Sequence, residues 1–114
     1  MSRHQPLSEP LVRLVAARFR VLSEPMRIRL LDRLSQGEAT VGALAAELGT
    51  SQQNVSKHLG VLLDAGIVAR SKRGTSAVFS IADEQVFELC ELVCGGLRRQ
   101  ASELDAIVRA GGPR

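Results

Sequence analysis

The sequence has no tryptophan and no tyrosine, and its only aromatic rings are Phe19, Phe79 and Phe87. Single-stranded nucleic acid is usually held by stacking bases on exposed rings, so that mode of recognition has almost nothing to work with here. Long apolar runs are absent too: none approaches the roughly 20 residues that span a bilayer. The opening Met1-Ser2-Arg3-His4-Gln5-Pro6 lacks the apolar core of a signal peptide. Without a secretory signal the two cysteines, Cys90 and Cys94, read as free thiols rather than a disulfide framework, and the expected compartment is the cytoplasm. Histidine is scarce as well. A thiol enzyme would need a base beside its nucleophile, and only His4 and His58 are on offer.

What is present is a chain of 114 residues, 45% apolar, whose hydrophobic content is mostly Leu, Val, Ile and Ala. That length sets one domain, 1–114, with a core small enough to gain from a partner, and the composition favours packed helices. The net charge is +3, but its distribution says more than its sum. Between Ser51 and Gly74 the cations Lys57, Arg70, Lys72 and Arg73 face a single acid, Asp64, whereas Asp83 to Cys94 carries four acids and no base. One region attracts phosphate and another repels it.

Punctuation along the chain predicts five helices and a hairpin. The tetrapeptide Leu-Ser-Glu-Pro occurs at 7–10 and again at 22–25, each time placing a capping hydroxyl before an acid and a proline, and so predicts two helix starts. The first helix, 10–22, is apolar on most sides, which points to a partner subunit. The second, 25–36, turns Ile28, Leu30, Leu31 and Leu34 inward. Thr40 caps a third helix, 40–49, ended by Gly49; Ser51 caps a fourth, 51–65, ended by Gly66. Residues 67–81 switch to short alternation about Gly74 and read as a two-stranded hairpin, and Asp83 opens a last helix, 83–110. The fold class is therefore mostly α with a small β-hairpin: a winged helix-turn-helix.

On the fourth helix Val55, Leu59, Leu62 and Leu63 share one face and leave Gln52, Gln53, Asn54, Ser56 and Lys57 largely free. Amides and hydroxyls can donate and accept at base edges in the major groove of double-stranded DNA. Cations at the hairpin suit phosphates. The expected DNA-binding set is Ser51, Gln52, Gln53, Asn54, Ser56, Lys57, His58, Arg70, Lys72 and Arg73. A winged helix that has lost DNA binding and serves protein interaction stays open beside this reading.

From about Leu22 to Ile81 the sequence resembles the ArsR/SmtB family of metal- and stress-sensing bacterial repressors. "LSEPMRIRLL" looks like the family's Leu-x-x-Pro-x-Arg opening, and the core Val55-Ser56-Lys57-His58-Leu59 with the exit Asp64-Ala65-Gly66-Ile67-Val68 is similar to its helix-turn-helix and wing. The resemblance implies a homodimer through the terminal helices that binds an imperfect palindromic operator and leaves it when an effector arrives. It does not supply the sensor. The third helix, Val41-Gly42-Ala43-Leu44-Ala45-Ala46, holds no thiol where arsenic and cadmium sensors often do, and no histidine follows His58 for the zinc site of the last helix.

Phe87, Cys90, Cys94, Leu97, Ala101, Leu104 and Val108 recur every third or fourth residue and form one helical stripe. With Leu11, Leu14 and Val15 of the first helix, its apolar members make the expected dimer interface. Cys90 and Cys94 on that stripe read either as buried seam or as ligands to a soft ion such as arsenite, cadmium or zinc, with oxidant or reactive-sulfur sensing as a further reading. Cysteines four apart on a helix have Cβ atoms about 5–6 Å apart, beyond the ~3.8 Å a disulfide requires. An intrahelical disulfide would need the helix to open, which Gly95-Gly96 could allow.

Overall fold

The computed structural model describes residues 5–110. Its elements run α1 (Glu9–Leu22), α2 (Pro25–Leu34), β1 (Ala39–Thr40), α3 (Val41–Leu48), α4 (Gln52–Asp64), β2 (Val68–Arg73), β3 (Ser76–Ile81) and α5 (Glu84–Ala110). They fall into two compact units, one ending at Ala82 and the other beginning at Asp83.

Local chemistry accounts for most boundaries in the first unit. Ser8 Oγ accepts from Leu11 N at 3.3 Å and opens α1. The second Leu-Ser-Glu-Pro is used differently. Ser23 Oγ donates back to the carbonyl of Arg20 at 2.9 Å and closes α1, and it is the Glu24 carboxylate that accepts from Met26 N at 3.2 Å and caps α2. Two helices that meet with no spacer leave the serine at the end of one rather than the start of the next. Thr40 and Ser51 cap α3 and α4 through Ala43 N and Asn54 N, at 3.1 and 3.0 Å. Between them Gly49 takes φ +66°, the left-handed turn that lets α4 leave α3 at once.

The hairpin is one part of a three-stranded antiparallel sheet of order β1-β3-β2, not a lone pair. Ala39 and Thr40 pair with Phe79 and Val78, so the segment entering α3 stitches the wing to the helices. Arg73 faces Ser76 across a two-residue turn whose first member, Gly74, has φ +64°, as tight hairpins favour.

Leu30, Leu44, Val55, Leu59, Leu62 and Ile67 form the fully buried centre, joined by Leu31, Leu34, Val78 and Phe79. Ile28 is not among them. It is 47% exposed, because the inward face of α2 is set by Leu30, Leu31 and Leu34. Most of α1 is also open: Leu11, Leu14, Val15 and Phe19 are exposed and only Leu22 is buried.

In the second unit Asp83 Oδ1 accepts from Gln85 N and Val86 N at 3.0 and 3.2 Å and starts α5. The helix then runs unbroken through Gly95 and Gly96 to Ala110. Residues 1–4, His4 among them, and 111–114 lie outside the described residues.

Replacing Leu59 by Ala empties space at the centre of the core and should cost about 2–5 kcal/mol. Chemical denaturation would register it, and a loss under 1 kcal/mol would mean that α4 is not packed as described.

Candidate nucleic-acid interface

Helix α4 has two chemically distinct sides. Val55, His58, Leu59 and Leu62 are buried; Gln52, Gln53, Ser56 and Lys57 are exposed on the opposite side, one turn apart in pairs. Ser51 is exposed but its hydroxyl is engaged as the cap. Asn54 is half-buried and donates through Nδ2 to Thr50 Oγ1 at 3.1 Å, bracing the turn between α3 and α4. Ser51, Gln53, Asn54 and Lys57 together line a shallow hollow at the start of the helix.

His58 does not belong with the exposed set. Its ring is buried, and Arg27 Nη1 lies 3.1 Å from its Nδ1. Because guanidinium only donates, Nδ1 is the acceptor and the proton of the neutral ring sits on Nε2. Burial first, then the charges of Lys57 and Arg27, push the imidazole below its usual range, against a smaller opposing effect of Glu24. A histidine directly after the exposed Lys57 looks available in sequence, but the helical period carries it round to the core.

Arg27 is the hub of this contact. Its Nε donates to the Val21 carbonyl at 2.6 Å and its Nη2 to the Arg20 carbonyl at 3.4 Å, so one guanidinium ties the end of α1 to α4. Arg18 of α1 does the same at the other end of α4, donating to the Ala65 carbonyl at 2.9 Å. A cation at a helix C-terminus is favourably placed. Neither arginine announces this in sequence, since Arg27 meets a histidine ring 31 positions on and Arg18 a backbone carbonyl 47 positions on.

On the wing, Arg70, Lys72 and Arg73 are all exposed. Strand alternation puts Arg70 and Lys72 on one face and Arg73 on the other. Arg73 Nη2 meets Glu38 Oε1 at 2.8 Å, whereas Lys57, Arg70 and Lys72 have no ion pair among the described residues. Glu38 is the acid that the count of charge between Ser51 and Gly74 left out. It sits just before β1, a strand too short to leave a periodic signal.

Cys90 and Cys94 are half-buried free thiols on α5. Partial burial and the neighbouring Glu91 carboxylate push the Cys90 thiol up. Among the described residues no group of three or more His, Cys, Asp or Glu side chains gathers to hold a metal ion. Phe87 is half-buried, while Leu97, Ala101, Leu104 and Val108, on the same stripe, are exposed. No helix among the described residues is long and apolar enough to cross a membrane.

A capped helix with a bare polar side, preceded by a short helix and a tight turn and followed by a basic hairpin, defines a winged helix-turn-helix DNA-binding domain. A family model described as a helix-turn-helix domain matches residues 22–70. An uncharacterised HTH-type transcriptional regulator of Mycobacterium tuberculosis, Rv0081, is 38% identical over 109 residues, which cover 92% of this chain and 96% of the relative. Its crystal structure matches with a TM-score of 0.77 over 84% of this chain and 97% of that one. The probable mercury resistance operon repressor of Streptomyces lividans is 34% identical over 94 residues, 82% of this chain and 75% of the relative. The solution structure of a homodimeric winged helix-turn-helix domain from Mycobacterium bovis, a possible ArsR-family regulator, is 29% identical with a TM-score of 0.76, covering 90% of this chain and 95% of that one. The chain belongs to the ArsR/SmtB family: it is a DNA-binding transcriptional regulator, not an enzyme.

The His58 contact has a pH signature. A cationic group whose folded pKa lies below the unfolded value stabilises the fold above that unfolded value, near 6.5, and the contribution is lost as pH falls through the window below it. Urea unfolding at about pH 7.5 and about pH 5.5 should show lower stability in acid, and His58→Gln should flatten that difference. An unchanged pH slope in the variant would remove His58 as its source.

Proposed function

We propose that the chain is a repressor that binds an imperfect palindromic operator as a homodimer and is released by an effector. The observation that carries this reading is the bare side of α4. Gln52, Gln53 and Ser56 are the base-edge readers, Lys57, Arg70, Lys72 and Arg73 hold phosphates, and Ser51 and Asn54 fix the start of the helix. Two copies of such a helix must be set one helical turn of DNA apart. The apolar residues of the terminal helices support dimerisation as the means: Leu11, Leu14 and Val15 on α1 and Leu97, Ala101, Leu104 and Val108 on α5 are exposed, and Phe87 on the same stripe is half-buried. The homodimeric Mycobacterium bovis neighbour favours the same assembly.

For the effector we propose a soft metal or metalloid ion, of which arsenite, cadmium and zinc are candidates, bound by Cys90 and Cys94. The relative named as a mercury resistance repressor favours a thiophilic ion. One chain offers only these two thiols, so a three- or four-coordinate ion would draw on the partner subunit's pair as well. The raised Cys90 thiol weighs against thiolate attack on an oxidant or a reactive sulfur species, which is the second reading. It also makes metal capture weaken in acid, because a thiol must lose its proton to bind.

Two measurements test the two halves. Lys57→Ala should weaken binding to any duplex and make the salt slope shallower by about 0.9, whereas Gln53→Ala should cost about 1–3 kcal/mol on the operator and little on mixed-sequence DNA. Equal losses on both duplexes for Gln53→Ala would place it off the bases. Adding arsenite, cadmium, zinc, tetrasulfide or peroxide to the reduced protein on its operator should release it with one of the three ions, and Cys90→Ser with Cys94→Ser should abolish that release. Release by none of them would return the two cysteines to a packing role.

A further inference from the structure

Glu38 is placed, not incidental. On its N-terminal side Gly37 takes φ +142°, a conformation that favours glycine, and the Gly37 carbonyl accepts from Arg33 Nη1 at 3.0 Å. Arg33 is itself held by Glu47 at 2.6 Å. On the other side Ala39 is buried and paired with Phe79. The carboxylate therefore leaves a backbone anchored on both flanks. The two side chains together span the sheet, since β1 and β2 lie on opposite sides of β3, and Arg73 Nη2 lies 2.8 Å from Glu38 Oε1.

The pair is open to solvent, with side chains 66% and 38% exposed for Arg73 and Glu38. Such pairs are weak and screened by salt. A phosphate can displace the carboxylate from Arg73, but it then does so with an anion left nearby. We infer that Glu38 sets the wing's affinity: it competes with DNA phosphate for Arg73 and so restrains sequence-independent binding. This rests on the reading of the wing as a DNA contact. Non-specific binding is the sum of phosphate contacts. Weakening one of them lowers the hold on any duplex by the same factor while leaving the base-facing residues of α4 untouched, so overall affinity falls and the ratio between operator and other DNA is kept.

The test uses the full chain and sonicated mixed-sequence duplex DNA, with affinity measured across a salt series. Glu38→Gln keeps the shape and removes the charge. It should bind roughly two- to fivefold more tightly, with a salt slope steeper by up to about 0.9. Arg73→Ala should bind more weakly than the unmodified chain, and adding Glu38→Gln to it should restore nothing, because the acid acts through that arginine. If Arg73→Ala weakens binding while Glu38→Gln leaves affinity and slope unchanged, the inference fails and the wing remains a DNA contact. If the gain from Glu38→Gln persists without Arg73, Glu38 acts only as bulk negative charge and the competition is refuted. If Arg73→Ala has no effect, the wing reading falls and takes the inference with it.

Discussion

Helix α4 must be held rigidly along one side and left bare along the other, and the burial of Val55, Leu59 and Leu62 makes both conditions compatible. All three are fully buried. At about 1.5–3 kcal/mol for each such side chain, an upper estimate because unfolded chains are not fully extended, that packing alone can hold the helix in place. None of its exposed side need then be spent on structure. The ends are secured separately, by the Ser51 cap at the start and by Arg18 on the Ala65 carbonyl at the finish. His58 fits the same scheme. A buried imidazole is tolerable when its acceptor nitrogen is satisfied, and Arg27 satisfies it while also closing the carbonyl end of α1.

What was legible in the sequence was whatever is decided within a few residues. The caps at Ser8, Thr40 and Ser51, the left-handed Gly49 and the glycine of the wing each carry a local steric or hydrogen-bonding reason, and the period of Val55, Leu59 and Leu62 separates the two sides of α4. What was not legible depends on distant partners. The same four residues, Leu-Ser-Glu-Pro, open a helix at Ser8 and close one at Ser23, because only the second copy has a helix already arriving. His58, Arg27, Arg18 and Glu38 have the side chains of surface residues. Their roles come from contacts 31, 47 and 35 positions away in sequence. Strand β1, two residues long, exists only because β3 is there to pair with it.

The four cations once grouped together are therefore not equivalent. Lys57 stands on α4 beside the exposed amides of Gln52 and Gln53, and Arg70 and Lys72 share one face of the wing. Arg73 lies on the other face, already opposed by an acid. Charge count alone would assign each the same weight in phosphate binding. On the proposed DNA-binding reading, position divides them into contacts that would help fix register and contacts that would only add to a general attraction. A regulator that must find one operator among a large excess of other DNA gains more from the first kind.

The thiols of α5 pose the same question of geometry over composition. An intrahelical disulfide was conceivable if Gly95 and Gly96 broke the helix, but the helix is continuous there. Arg99 lies along the space the two glycines leave, its guanidinium nitrogens 3.6 and 3.8 Å from where Cβ atoms would stand. Glycines inside a helix each cost about 1 kcal/mol relative to alanine, so α5 is locally weaker there without being interrupted. With the backbone intact, Cys90 and Cys94 remain one turn apart, too far to bond to each other and near enough to share an ion. On the closed helix an intrahelical disulfide cannot form, so that one route of oxidation would require the helix to open.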